Sequence, residues 1–241
     1  MKFELDKFNS EIFEIRMANI LSDEESLSKD DVAGLIENGK TEGYDCLSIK
    51  LDTAEKKQLS SFLANGFELV DTLITYFIPV TENRYFPENP RLAIRKVSES
   101  DIDDVMRIAR SAFKIDQFHS DSNLDSDKAD TYYEQWAKNS CNGFADDVFL
   151  VEETESRQPA GFITINYSEE KATVGLAAID SAFHGKGVFT FLIAELIRIV
   201  KEKNIKYISY GTQLANIAVL RTMAKFNGVP QNSKHILHKM I

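Results

Sequence analysis

The alternation of apolar and polar positions divides this chain into many short elements. An apolar/polar run covers 12–20, and a helix follows Ser28-Lys-Asp-Asp31, whose spacing suits an N-terminal cap. A strand over 45–51 comes next. Thr53 is placed to cap a helix with Leu59, Phe62 and Leu63 on one face, ending at Asn65-Gly66, and a long strand then spans 69–80. Turn formers and two further prolines, Pro87 and Pro90, follow Pro79, which marks a linker.

Beyond the linker, the pattern predicts a strand over 92–97, helices over 101–113 and 127–140, and strands over 148–152, 160–167 and 172–179. A helix over 187–203 carries Phe191, Leu192, Ala194, Leu196, Ile197 and Val200 on its apolar side. A strand over 207–211, a helix over 216–226 and a strand over 236–241 close the chain. Hairpin-linked strands followed by a β-α-β crossover imply an α/β fold with a mixed sheet and helices on both faces. The expected division is a smaller N-terminal domain over 1–80, a linker over 81–91 and a main domain over 92–241. Asn65-Gly66 and Asn227-Gly228 end a helix in each block, which hints that the two blocks are related.

The most informative stretch is Val174-Gly-Leu-Ala-Ala-Ile179 running through Asp180-Ser-Ala-Phe-His-Gly-Lys-Gly-Val188 into the long helix. A strand, a glycine loop and a helix start in that order leave unpaired backbone N–H groups where the helix dipole favours an anion. Gly185 and Gly187 let the backbone approach a phosphate, and Lys186 adds a positive charge.

Composition narrows the partners. With 38 acidic against 28 basic residues and a formal charge of −10, the surface should repel nucleic acid. Cys46 and Cys141 form no CxxC pair or Cys/His ligand set, which argues against zinc and disulfides. No run approaches the length of a membrane span, and the N-terminal residues lack an apolar signal core; the expected compartment is the cytoplasm. His235 and His238 are three apart on a strand and point to opposite faces, so no metal site is expected.

The strand, the His184-Gly-Lys-Gly-Val188 loop, the helix, the next strand and Asn216-Ile-Ala-Val-Leu-Arg221 resemble the acetyl-CoA-binding half of the GCN5-related N-acetyltransferases (GNAT). Within that superfamily the resemblance is to the TDP-fucosamine acetyltransferase type. It rests on 113–121 with 133–136, on 211–216, and on 62–70, and so spans nearly the whole chain. That type carries a truncated N-terminal GNAT-like domain.

The resemblance implies that acetyl-CoA lies along Leu176, Ala177, Ala178 and Ile179. Its pyrophosphate would rest on the loop from His184 through Gly185, Lys186, Gly187 and Val188 to Phe189. Asn216 opens the last helix, and Met223 stands seven residues later where the family commonly has a proton-donating Tyr. A backbone N–H near Ala178 would stabilise the oxyanion formed when an amine attacks the thioester. Tyr167 and Glu169 are candidate bases. Phe118, His119, Asp121, Tyr133 and Trp136 are candidates for contact with the acceptor, which is implied to be a nucleotide-linked amino sugar.

A homodimer is compatible with this reading. Two alternatives stay open: transfer to a polyamine, an amino acid or a protein N-terminus, and an acyl-CoA-binding module without turnover.

Overall fold

The computed structural model describes residues 2–21, 27–80 and 88–241; most of the expected linker, 81–87, lies outside the described residues. Among the described residues, ten strands form a single mixed sheet with helices on both faces. The first block runs β1 (Lys2–Leu5), α1 (Lys7–Phe13), β2 (Met17–Leu21), α2 (Lys29–Thr41), β3 (Cys46–Asp52), α3 (Lys56–Ala64) and β4 (Glu68–Pro79). The second runs β5 (Leu92–Lys96), α4 (Ile102–Ala112), α5 (Ser126–Asn139), β6 (Asp147–Glu153), β7 (Pro159–Tyr167) and β8 (Lys171–Ile179). It continues with α6 (Val188–Glu202), β9 (Tyr207–Gln213), α7 (Ile217–Lys225) and β10 (Val229–Met240).

Three local expectations change. The run over 12–20 is divided, because α1 ends at Phe13 and Glu14 takes a left-handed backbone before β2 begins. Thr53 does not cap α3; its hydroxyl pairs with that of Ser233 at 2.6 Å, and Glu55 occupies the cap position without a side-chain bond. The last strand starts at Val229, well before 236.

The strand order is β1-β2-β3-β10-β4-β9-β8-β7-β6-β5. The chain's final strand therefore lies between two strands of the first block, antiparallel to both β3 and β4. On either side of the β4–β10 pair the same unit recurs. β2 pairs with β3 in parallel and β8 with β9 in parallel, and each such pair is followed by a helix and a strand that crosses to the other unit. Both connecting helices end in a left-handed residue, Gly66 after α3 and Asn227 after α7, the two residue types that tolerate it best. The related Asn-Gly pairs are thus offset by one position.

Three buried clusters position the site. α6 and α7 cover Ile78, Ala172, Val174, Ile208 and Tyr210 on one face. α4 and α5 cover Leu150, Phe162, Leu176 and Ala178 on the other. Phe13, Met17 and Cys46 of the first block pack on Phe118, Leu124 and Ala129 of the second, joining the blocks.

Candidate functional site

A bulge opens the sheet. β8 pairs with β9 from Lys171 to Val174 and then departs from it. There the β7–β8 register shifts, so that Gly175 and Leu176 together oppose Thr164. Thr164 Oγ1 accepts the Leu176 N–H at 2.8 Å, and a Cβ on Gly175 would stand 2.8 Å from that same oxygen. The extra residue reverses the strand's faces. Before it, Ala172 and Val174 pack under α6; after it, Leu176 and Ala178 pack under α4 and α5.

The ladder also fixes which amides face the gap. The Asp180 N–H donates to the Ala160 carbonyl at 3.0 Å, which makes Gly161–Ile179 a pair without mutual hydrogen bonds. By alternation Ala177 and Ile179 turn their N–H groups toward the gap, whereas Ala178 turns its own toward Phe162. The expected donor, Ala178, is thus replaced by its neighbours. His184 Nε2 donates to the Ile179 carbonyl at 3.1 Å, drawing the ring back onto the strand.

The loop after β8 is anchored at Asp180, which accepts from the Ala182 N–H at 2.9 Å and from Arg107 at 2.6 Å. Burial pushes its carboxyl up, but these two partners outweigh burial and hold it below its ordinary value. Gly185 and Gly187 have φ of +74° and +78°, and a Cβ at either would meet open space. Gly187 caps α6 with no side-chain bond, and the first turn of α6 has no acidic residue. Its amides are therefore available to an anion.

A cleft of about 450 Å³ joins these parts. It is lined by Ala177, Ala178, Ile179, His184, Gly185, Gly187, Val188 and Phe189, with Asn216, Thr222, Phe113 and Ile115. Because Phe113 and Ile115 follow α4 on one face while Thr222 lies on α7 on the other, the cleft passes through the gap in the sheet. The Phe189 ring stands edge-on to Tyr210 at 5.9 Å, turned toward the core, and leaves its amide free for a ligand. Asn216 Oδ1 caps α7, accepting from Val219 N–H at 3.3 Å.

Three expected cofactor residues are absent from the lining. Leu176 is buried under α5, and Lys186 places its ammonium 4.9 Å over the Phe183 ring. Met223 is fully buried in the core, and α7 reaches the cleft through Ala218, Val219 and Thr222, whose hydroxyl donates to the Ala218 carbonyl at 3.1 Å. Sequence reading missed Thr222 because counting from Asn216 does not say how the helix is rotated.

The acceptor candidates fall into two groups. Phe118, His119 and Asp121 are internal. Phe118 is 1% exposed between Phe13 and Tyr132. His119 is held between Asp116, at 2.5 Å from Nδ1, and Asp130, at 3.0 Å from Nε2. Asp121 pairs with buried His238 at 2.9 Å. These groups hold the α4–α5 connection in place through their paired side chains. Tyr133 stacks on Phe113 at 4.3 Å, and Trp136 comes within 4.0 Å of a Cβ built on Gly175, so α5 lays both rings against the bulge. Beside them Phe8, Tyr132, Trp136, Asn139 and Phe144 line an aromatic cavity of about 280 Å³.

Tyr167 and Glu169 lie at the opposite end of β8, roughly 25 Å from Ile179 at strand rise. Tyr167 donates to Asp147 at 2.8 Å and underlies Lys203; burial and Asp147 push its hydroxyl far up, so it cannot serve as a base near the gap. Glu169 is exposed in the turn.

The two histidines of β10 have separate partners: His235 bonds Thr72 at 3.0 Å and His238 bonds Asp121. Cys141 is pushed up to about 11 by burial and by Asp101, which keeps it a thiol. A groove of about 580 Å³ between α4 and α5 is larger than the cleft, but its cations Arg107, Arg110 and Lys114 are each engaged by acids and it does not reach the gap.

The first block repeats the β-α-β unit but closes its helix start. Ser28 and Asp31 form a reciprocal capping box on α2, with Asp30 and Asp31 both in the first turn. Those acids occupy or repel what α6 leaves open. Calorimetry should therefore find one equivalent of acetyl-CoA per chain; two would mean that the capped unit binds as well.

Residues 91–228, more than half of the chain, match the acetyltransferase (GNAT) domain family. The chain is 22% identical over 138 residues to the spore coat polysaccharide biosynthesis protein SpsD of Bacillus subtilis (strain 168), covering 57% of this chain and 47% of that protein. It thus spans about half the length of that curated relative. Among solved structures, a GCN5-related N-acetyltransferase from Sphaerobacter thermophilus superposes with a TM-score of 0.69 at 11% identity, over 99% of this chain and 75% of that one. A conserved protein of unknown function from Staphylococcus epidermidis gives 0.65 at 15% identity, over 94% and 84%. With its bulged strand, uncapped glycine-led helix and through-sheet cleft, this chain belongs to the GNAT acetyltransferase family.

Proposed function

We propose that this protein is an acetyl-CoA-dependent N-acetyltransferase whose acceptor is the amine of a nucleotide-linked amino sugar. The observation that carries the donor half is the single cleft joining the gap beside Ala177 and Ile179 to the open amides of Val188 and Phe189. Acetyl-CoA supplies an activated acyl group. The residues fit it, since Gly185 and Gly187 leave room for phosphate oxygens at a helix start that favours negative charge.

The chain's part in the chemistry is to hold and polarise. The Ala177 and Ile179 amides face the place where a thioester carbonyl would gain negative charge, and one well-placed donor contributes about 3–4 kcal/mol. The amine attacks directly, so the Cys141 thiol is not required. Met223 has no proton to donate to the leaving thiolate, and Thr222 is the hydroxyl nearest in sequence that borders the cleft.

Support for a sugar nucleotide is of two kinds. The relative from Bacillus subtilis is named for polysaccharide biosynthesis. The aromatic cavity beside Trp136 offers ring faces next to the bulge, suited to stacking a planar base. We also propose that 1–80 is a truncated GNAT-like unit and 92–241 the transferase unit, in keeping with the recurring β-α-β order.

The test is thiol release from acetyl-CoA with nucleotide-linked 4-amino-4,6-dideoxyhexoses, spermidine and free amino acids, with acetyl-CoA binding measured on the same sample. Release with the amino sugars alone is expected. Release with spermidine or amino acids would replace the acceptor, binding without release would favour a binding module, and absence of binding would overturn the reading.

A further inference from the structure

Among the described residues, one buried side-chain oxygen has no hydrogen-bond partner: Oδ2 of Asp71. Asp71 lies on β4, one strand beyond β9 from the gap. Its other oxygen accepts the Thr72 N–H at 2.7 Å. Along β4, Leu73 pairs with Gln213 on one side and Lys234 on the other, so Asp71, two residues away, shares their face of the sheet. Ile78, of opposite parity, packs under α6 and α7, which puts Asp71 on the face carrying α4 and α5.

The neighbours of Asp71 lead to the gap. Tyr133 of α5 and Asp116 of the α4–α5 connection act on its carboxyl group electrostatically, and the Gln213 side chain is a hydrogen-bonding neighbour of that carboxyl group, while Oδ2 itself has no partner. Tyr133 belongs to the cluster that holds Leu176 and Ala178, just past the bulge. Tyr133 thus feels the charge of Asp71 on one side and packs with the end of β8 on the other, stacked on Phe113 of the cleft lining. No ion pair engages Asp71 among the described residues. Lys234, the cation on the same face of β10, is exposed and pairs with nothing there.

We propose that Asp71 receives the ammonium group of the acceptor and takes its proton, so that the first block supplies a catalytic carboxylate to the transfer site of the second. This rests on the transferase reading above. An ionised carboxylate with a buried, unpartnered oxygen is costly, and an ammonium is the group that completes it. Burial, reinforced by Asp116, pushes Asp71 up from 3.8 to about 6, where it stays ionised at neutral pH yet accepts a proton more readily than an ordinary aspartate. The acceptor enters as R–NH3+ and gives one proton to Asp71. Its freed lone pair forms the C–N bond as the C–S bond breaks, and the second proton leaves with the thiolate to form the thiol. Asp71 then returns its proton to solvent, so that one proton is released per transfer.

The test uses the full chain and Asp71→Asn. Acetyl-CoA affinity is expected to stay within twofold of the original. The transfer rate to the best amine should fall on the order of 100-fold, and the acid limb of the pH–rate profile near pH 6 should disappear. Retained rate and acid limb in the variant would overturn the proposal. A second readout does not need turnover. In carbon-13-labelled protein, the Asp71 carboxyl resonance, assigned by its loss in Asp71→Asn, should titrate near pH 6, and glucosamine should move that midpoint down while N-acetylglucosamine does not. An unmoved midpoint would overturn the proposal. Absence of transfer by the unaltered protein with every amine would instead count against the transferase reading.

Discussion

Gly187→Trp is expected to weaken acetyl-CoA binding at least 100-fold while the protein still folds. Two terms set this expectation. The backbone at Gly187 has φ +78°, a conformation that costs a non-glycine residue roughly 1–2 kcal/mol. A Cβ there meets no atom within 4 Å, so the indole can be placed without breaking the core, but only in the cleft at the start of α6. It would cover the amides offered to the anion. Titration calorimetry read beside a thermal melt separates the terms, and Gly185→Ala is the control, since it carries the same backbone strain without the bulk. Binding lost together with cooperative melting would attribute the effect to folding, and unchanged affinity would remove the loop from the site.

His238→Leu should destabilise the protein by about 3–5 kcal/mol, because it strands a buried carboxylate. The side chains of His238 and Asp121 are each 2% exposed and lie 2.9 Å apart. Burial pushes the Asp121 carboxyl up, yet the hydrogen bonds from His238 and Asn123 hold it below its ordinary 3.8. A depressed carboxyl contributes stability above its unfolded value and loses it as pH falls, so the unaltered protein should weaken on acidification through that range. In His238→Leu the unpaired Asp121 protonates more readily, and the difference between the two proteins should shrink toward low pH. Urea unfolding across pH 3–8 measures both trends. A loss under about 1 kcal/mol would assign the joint between the α4–α5 connection and β10 to the aromatic contacts of Phe118 instead.

Much of the donor half was readable from local pattern. The strand ending at Ile179, the two glycines and the start of α6 are close neighbours in sequence, and the backbone angles of such a loop depend on the residues in it. The Ser28 cap and the Asn216 cap were readable for the same reason, since each closes on an amide three residues away. The acceptor half was not. His119 and Asp121 stand in a connection between helices, where exposure is the ordinary expectation, and what buries them comes from elsewhere: Asp130 on α5 and His238 on the last strand.

By itself, then, the sequence determined the order of elements, the family resemblance and the phosphate-ready loop, all of which arise from short-range periodicity and backbone preference. The tertiary structure decided the rest. Which amides face the gap depends on the bulge at Gly175 opposite Thr164, and that register exists only once β7 and β8 pair. The place of β10 between β3 and β4 depends on strands more than 150 residues apart in the chain finding each other. That same pairing brings Asp71 to the face shared with α5, beside residues that no local motif connects to it, because a sheet joins strands by hydrogen-bond register rather than by distance along the chain.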